Sequence, residues 1–366
     1  MAPLSLRAIN RATLARQMVL ARAPVTPTAA IERLVALQAQ WPRPPFIGLW
    51  SRVEGFEREA LTRLLAQRKV VRATFLRGTI HVLTAKDFAS LRPVIQPVLD
   101  AAMRSILRTR LDGLDLDALV ARARERFARA PCTFEDLRDE FLRVNPNADE
   151  RAMGYAVRML LPLVQVPVLD AEWGFPAQAC FTPADQWLGR TISTLAAAPD
   201  PLILRYLAGY GPATAADIQA WSGLAKPAVR DALERLMPTL TILHDERKRD
   251  LFDLAGADRP DEDVPAPVRL IPEYDNLITT RADERFVARA HRPRVFLSAL
   301  RIAATVLVDG FVAATWKLQT TKKAATITIE PFTAFAARVK KEVAGEAEAL
   351  ARFAALEART IEVKFD

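Results

Sequence analysis

Two glutamines one residue apart, Gln38 and Gln40, stand where a helix has to stop. A primary amide is no general base at neutral pH, so the pair does not suit nucleophilic or acid–base catalysis. Its carbonyl oxygen is a dipole that can hold a water or stabilise a developing positive charge. Upstream, Ile31, Leu34 and Val35 mark the apolar stripe of a helix. Gln38 comes seven positions after Ile31 and would fall on that inward face, where an amide costs free energy unless it is hydrogen-bonded. Pro42 turns Trp41 away from the helical region, and Pro44 and Pro45 are expected to keep the chain extended. Residues two apart point about 200° apart on a helix but share a face of an extended segment. The two amides therefore converge only if the helix unwinds near Ala39; otherwise they are solvated groups at a frayed end.

The remaining composition narrows the chemistry. Cys132 and Cys180 are too few and too distant for a disulfide framework or a zinc site, and His81, His244 and His291 are widely spaced. A metal centre built on His and Cys is therefore not expected. Glu273 and Asp275 lie in an apolar context and are fallback carboxylates for acid or base work, with capping of a turn before Leu277 as the plainer role. The 51 Lys and Arg against 43 Asp and Glu leave a net charge of +8, which favours an anionic partner. Most of the cations are arginine, the side chain that forks onto phosphate, or that simply covers a solvated surface. No apolar run is long enough to span a membrane and no signal sequence is recognisable, so a cytoplasmic protein is expected.

The 366 residues suit two or three modules, and half-hydrophobic content with 13 glycines suits a helix-rich globular chain. Thr26 and Pro27 start the helix that ends at the two glutamines. A second helix is expected over 57–68, then two strands within 70–83, the order of a winged helix. The order recurs over 116–188, with a helix carrying Leu119 and Phe127, a second capped by Thr133 and a third over 149–161. Strands follow around 164–169 and 178–181. It recurs again with helices over 201–209, 215–221 and 226–237 and strands over 240–244 and 251–254, around a charged tip at 245–250. The proline-rich acidic stretch 259–267 reads as a linker. Beyond it, Asp309-Gly310 is a two-residue hairpin signal between strands. A basic tip, Lys322-Lys323, a strand over 326–331, a helix over 332–356 and a final strand over 360–365 complete the pattern. The expected fold is α+β: winged helices over 1–95, 96–195 and 196–258, then a small β-barrel-like domain over 268–366.

Three segments together resemble the AlkZ/YcaQ-type winged-helix DNA glycosylases. The run from Leu37 through Pro45 to Arg52 is similar to the family's Gln-apolar-Gln element, with Ala39 small for its middle position. Arg77-Gly78-Thr79-Ile80-His81 resembles its Arg-x-Thr-apolar-His strand. Leu270 to Leu277 and the hairpin at Val308 to Phe311 resemble its C-terminal signatures. Gln40 resembles the AlkZ-like branch, because the YcaQ branch carries Asp there.

The resemblance implies hydrolysis of the N-glycosidic bond of bulky N7-alkylated guanine in double-stranded DNA, with interstrand crosslinks unhooked by some members. It implies a concave basic face and no metal or redox cofactor. The cationic base of such a lesion leaves without general-acid help, which fits an amide pair that places water and stabilises an oxocarbenium-like sugar. Gln38 and Gln40 are then the catalytic pair of a monofunctional enzyme. Arg43, Arg52, Arg77, Thr79, His81, Lys322 and Lys323 are the expected DNA contacts, in a protein expected to be a monomer. The competing reading is a non-catalytic winged-helix DNA-binding protein, a regulator or damage binder, whose recognition helix would span 226–237.

Overall fold

The computed structural model describes residues 3–144, 146, 149–279, 283–321 and 323–366. Its first helix, α1 (Leu6–Arg16), starts where the Ser5 hydroxyl accepts the Ala8 N–H at 3.0 Å. α2 (Pro27–Leu34) begins as expected, with the Thr26 hydroxyl accepting the Ala29 N–H and Pro27 in the first turn. It stops sooner than expected. Val35 takes φ 65°, and the chain passes straight into the short strand β1 (Leu37–Gln38). The break thus falls before both glutamines, not near Ala39. Pro44 and Pro45 do not hold the chain extended either: they open α3 (Arg43–Trp50). First-turn N–H groups have no helical partner, so proline loses nothing there and its fixed φ suits the helix. α4 (Arg58–Ala66), β2 (Val70–Thr74) and β3 (Ile80–Thr84) follow.

α5 (Ala85–Leu107) is capped by Thr84 and runs unbroken through the junction expected at 95/96. Then come α6 (Leu116–Arg129), α7 (Phe134–Val144), α8 (Glu150–Leu160), β4 (Leu163–Gln165), β5 (Phe181–Pro183) and α9 (Ala184–Leu188). Thr133 caps α7 through a reciprocal pair with Asp136. The strands of these two blocks are not separate: Ala73 pairs with Val164, giving one sheet of order β1-β3-β2-β4-β5. The third block keeps its own two-stranded ladder. α10 (Asp200–Tyr210), α11 (Ala215–Ser222), α12 (Lys226–Leu236), β6 (Leu240–His244) and β7 (Asp250–Leu254) lie close to the expected spans. A capping box of Thr214 and Asp217 starts α11.

The C-terminal region contains β8 (Arg269–Ile271), α13 (Asn276–Thr279), α14 (Arg292–Val295), β9 (Thr305–Val308), β10 (Phe311–Thr320), β11 (Ala324–Pro331), α15 (Ala337–Ala354) and β12 (Thr360–Phe365). Asp309 and Gly310 take φ 47° and 81°, the two left-handed positions a two-residue hairpin of this twist needs. No closed barrel forms among the described residues. The sheet is open, in the order β12-β11-β10-β9-β8, and its two edge strands do not pair. β12 runs parallel to β11. That pairing requires a crossover, supplied by α15. Val343, Ala347, Leu350 and Ala351 of α15 are buried in one core with sheet residues such as Val306, Trp316 and Ile327. An apolar sheet face covered by a helix has no need of closure.

α1 ties these parts together through polar groups. Asn10 donates to the carbonyls of Arg285 (2.6 Å) and Gly310 (2.8 Å), while Arg16 forks onto Asp253 at 2.6 and 2.9 Å. Arg7 and Arg11 both bind Asp309 at the hairpin turn. A Cβ at residue 310 would come within 2.6 Å of Arg11 and 2.7 Å of Asn10, so only glycine lets helix and turn meet this closely. The 259–267 stretch is anchored as well, because Arg11 donates to the Val264 carbonyl at 2.7 Å.

Candidate active site

β1 places the glutamines by register. Gln38 pairs with His81 and Leu37 with Val82, and the Ala39 N–H donates to the Ile80 carbonyl at 2.7 Å. Residues directly opposite in an antiparallel pair share a face. The ladder ends there: the Ala39 carbonyl is taken by Arg72 and Gln40 lies beyond the strand, so the register sets Gln38 and His81 on one face. Gln38 is buried and Gln40 exposed.

The Gln38 amide is oriented by Arg77. An Arg77 Nη2 proton goes to Gln38 Oε1 at 3.0 Å, and the same nitrogen lies 3.1 Å from Asn276 Oδ1. Arg77 also donates to the Trp221 carbonyl, and Asn276 Nδ2 to the Ala36 carbonyl at 2.9 Å. A guanidinium only donates, which fixes the amide with its oxygen toward Arg77. Arg77, in the turn before β3, therefore joins β1 through Gln38 to the end of α11 and the start of α13. Arg77 itself sits at φ 55°, and burial draws its pKa down to about 10. His81 is wholly buried. Its Nδ1 lies 3.0 Å from the Thr79 carbonyl, which assigns the proton to Nδ1 and leaves Nε2 a lone pair with no partner among the described residues. Burial first, and the Arg77 charge second, push its pKa down to about 3, so the ring is neutral.

A second arginine holds the element from the opposite face. Arg72 donates to the Ala39 carbonyl at 3.2 and 2.8 Å, reaches the Gln40 carbonyl at 3.5 Å and binds Gln165 Oε1. It is 5% exposed, and burial lowers its pKa to about 10. Sequence reasoning missed Arg72; the available signal was a charge inside an otherwise apolar strand, between Val71 and Ala73.

The other expected contacts fall differently. Arg43 pairs with Glu273 at 2.8 Å, and Glu273 Oε2 has no partner among the described residues. Arg52 is no phosphate ligand in this arrangement. It is completely buried just beyond the end of α3 and forks onto Asp275 through two bonds of 2.8 Å. Asp275 also accepts the Leu277 N–H at 2.9 Å, the capping role expected of it, and so is no free acid or base. Lys323 is exposed at the β10–β11 tip, while Lys322 lies outside the described residues. The tip residues Thr320 and Thr321 line an open cavity of about 830 Å³ with Arg58 and Arg63; neither glutamine lines it. Among the described residues, no group of three or more His, Cys, Asp and Glu is placed to hold a metal, and no helix is long and apolar enough to cross a membrane.

Comparison with known proteins gives this arrangement a class, that of the DNA glycosylases of DNA repair. The family model of the AlkZ-like DNA glycosylases matches residues 31–353, from α2 into α15. The chain belongs to the AlkZ-like DNA glycosylase family. Among solved structures it is similar to the DNA glycosylase AlkZ of Streptomyces sahachiroi, with a TM-score of 0.80, 20% sequence identity and 100% of both chains covered. At that identity the likeness is one of fold. No curated protein sequence matches the chain.

Proposed function

We propose that this protein is a monofunctional glycosylase that hydrolyses the N-glycosidic bond of N7-alkylated guanine in duplex DNA, bulky adducts and crosslinks included, and that Gln38 and Gln40 carry the chemistry. The observation that supports this reading is the Gln38 amide, paired with His81 across the ladder and oriented by Arg77, with Gln40 exposed two residues on. The positive charge on an N7-alkylated base makes it a good leaving group, so no acid is required. What remains is a placed water and a dipole for the oxocarbenium-like sugar. The two glutamines divide this work. One lone pair of the Gln38 oxygen is taken by Arg77, and the other orients the water. A guanidinium at that oxygen opposes stabilisation of a cation, so the sugar charge falls to Gln40, whose side-chain amide has no arginine bonded to it among the described residues. Arg77 is then a positioning residue first, with Arg43, Thr79, Lys322 and Lys323 as the DNA contacts and the wholly buried His81 behind Gln38, not on the DNA.

The helix–helix–strand blocks are read as three winged helices that bind the duplex as a monomer. The rival reading, a regulator reading bases with α12, is disfavoured by its charges. Arg230 pairs with Asp231 and Glu234, and Arg235 with Asp200. The test is a duplex bearing one N7-methylguanine, incubated with protein and then cleaved at abasic sites with alkali. Strand breaks are expected with the wild type and lost by about 30- to 1000-fold in Gln38→Ala and Gln40→Ala, the effect of removing one preorganised polar group. Unchanged excision in Gln38→Ala would falsify the assignment. Binding with no breaks, on this adduct and a bulkier one, would point to the non-catalytic reading.

A further inference from the structure

Of the six tryptophans, Trp41 alone is exposed, at 62%. The contrast with the others is chemical as well as geometric. Trp221 and Trp316 are core residues. Trp50, Trp173 and Trp187 each carry an arginine over the ring, Arg22 at 4.4 Å, Arg58 at 3.8 Å and Arg68 at 4.2 Å. Trp41 has neither a cation nor a second ring against it among the described residues. Arg43, two positions on, is turned to Glu273 instead. The backbone on either side of it is held in place. The Ala39 N–H is fixed on β3, Arg72 grips the Ala39 and Gln40 carbonyls, and Pro42 leads directly into α3. A large apolar ring kept in water by a fixed backbone, next to Gln40 and about 10 Å or less along the chain from Gln38, is a vacant stacking surface.

We infer that Trp41 is the stacking platform for the positively charged purine, and so a determinant of preference for the cationic lesion over neutral guanine. The inference rests on the glycosylase reading above. Tryptophan is the strongest aromatic partner for a cation, and base stacking on an aromatic side chain is tolerant of base identity but not of ring loss. Arg43, paired with Glu273, adds no unpaired charge of its own beside the ring, and Arg72 is buried on the backbone carbonyls.

The experiment uses the full chain carrying Gln38→Ala, so that bound lesion persists, with Trp41 intact, Trp41→Leu or Trp41→Phe. Each binds a duplex holding one N7-methylguanine and the same duplex holding neutral 7-deaza-7-methylguanine. With Trp41 the charged duplex should bind roughly 2- to 30-fold more tightly than the neutral one. That ratio should collapse toward one in Trp41→Leu and be partly kept in Trp41→Phe. Acrylamide quenching of the Trp41 emission, taken as the difference from Trp41→Leu, should fall on the charged duplex. Thermal melts of the free variants should coincide. An unchanged ratio in Trp41→Leu, or a Trp41 still open to acrylamide in the complex, overturns the inference while wild-type excision leaves the glycosylase reading standing. A wild type that excises nothing and binds both duplexes alike overturns both.

Discussion

Replacing Arg72 with methionine separates what holds the fold from what holds the site. Hydrogen bonds to a charged group contribute about 1.5–3 kcal/mol each, and Arg72 makes good ones to two acceptors, the Ala39 carbonyl and Gln165 Oε1. Their loss costs about 3–6 kcal/mol. Against this, the wild-type chain buries a guanidinium with no carboxylate partner. The fall in its pKa from 12.5 to about 10 corresponds to about 3 kcal/mol of unfavourable burial, which methionine does not incur. The net effect on stability is about 0–3 kcal/mol, a modest shift of the urea midpoint. The local effect is larger, because the carbonyl that Arg72 grips belongs to the residue between the two glutamines. Single-turnover excision is expected to fall at least 10-fold, and amide exchange at Ala39 to accelerate. Arg72→Lys keeps the charge without the fork and should recover only part of the rate. Wild-type excision with unchanged Ala39 protection in Arg72→Met would refute the reasoning.

Two further outcomes follow from the same geometry. His81 is held neutral, with its pKa lowered to about 3 from 6.5. The unfolded chain therefore binds a proton that the folded chain refuses, and stability is fully present above pH 6.5 and lost as pH falls toward 3, by up to about 5 kcal/mol. Urea titrations across that window should show the slope in the wild type and a flatter one in His81→Gln; identical slopes would sink it. Carboxylates at the two glutamines should behave differently. Glu at position 38 would pair with Arg77 and lose the oriented water, whereas Glu at position 40 would still face the developing sugar charge. Excision assays should rank Gln40→Glu above Gln38→Glu, and the reverse order would contradict the division of roles.

What could be read in the sequence depended on how local its cause was. Caps, proline starts and the Asp309-Gly310 turn are decided by a few adjacent residues, and the third helix block appears nearly at its expected bounds. The helix break was legible in kind, since prolines close behind a glutamine pair exclude a long helix. Its position was not, because Val35 at positive φ is imposed by the pairing of β1 with β3, residues more than forty positions away. α1 escaped notice because its buried residues are Asn10, Arg11, Thr13 and Arg16 as much as Ile9 and Leu14. An apolar period cannot reveal a helix that packs through polar groups. Arg52 was assigned to phosphate because arginine near a site suggests an anion. Its partner Asp275 is 223 positions away and invisible to any local rule. Strand count and hairpins suggest a barrel but do not report whether edges meet, and here β8 and β12 do not pair.

The charges around the glutamines bear on which part of a damaged duplex each group can bind. Arg72 and Arg77 lie on opposite sides of the element, and neither makes an ion pair among the described residues; their bonds go to carbonyl and amide oxygens. Two guanidiniums at partly desolvated positions raise the local potential, which favours phosphate and opposes any further cation. His81 accordingly stays neutral, and Arg43 is cancelled by Glu273. On the proposed reading, the backbone phosphates supply the counter-charge that the protein omits, so duplex binding is strongest where the lesion's own charge is already balanced by its strand. The cationic base is then left to groups that attract without a formal charge, the exposed indole of Trp41 and the amide oxygen of Gln40. A carboxylate at position 38 would instead pair with Arg77 in the free protein and be unavailable to orient the water when the sugar charge develops. Neutral dipoles held by buried arginines avoid that pairing, which is a physical reason for glutamine, and not glutamate, at position 38.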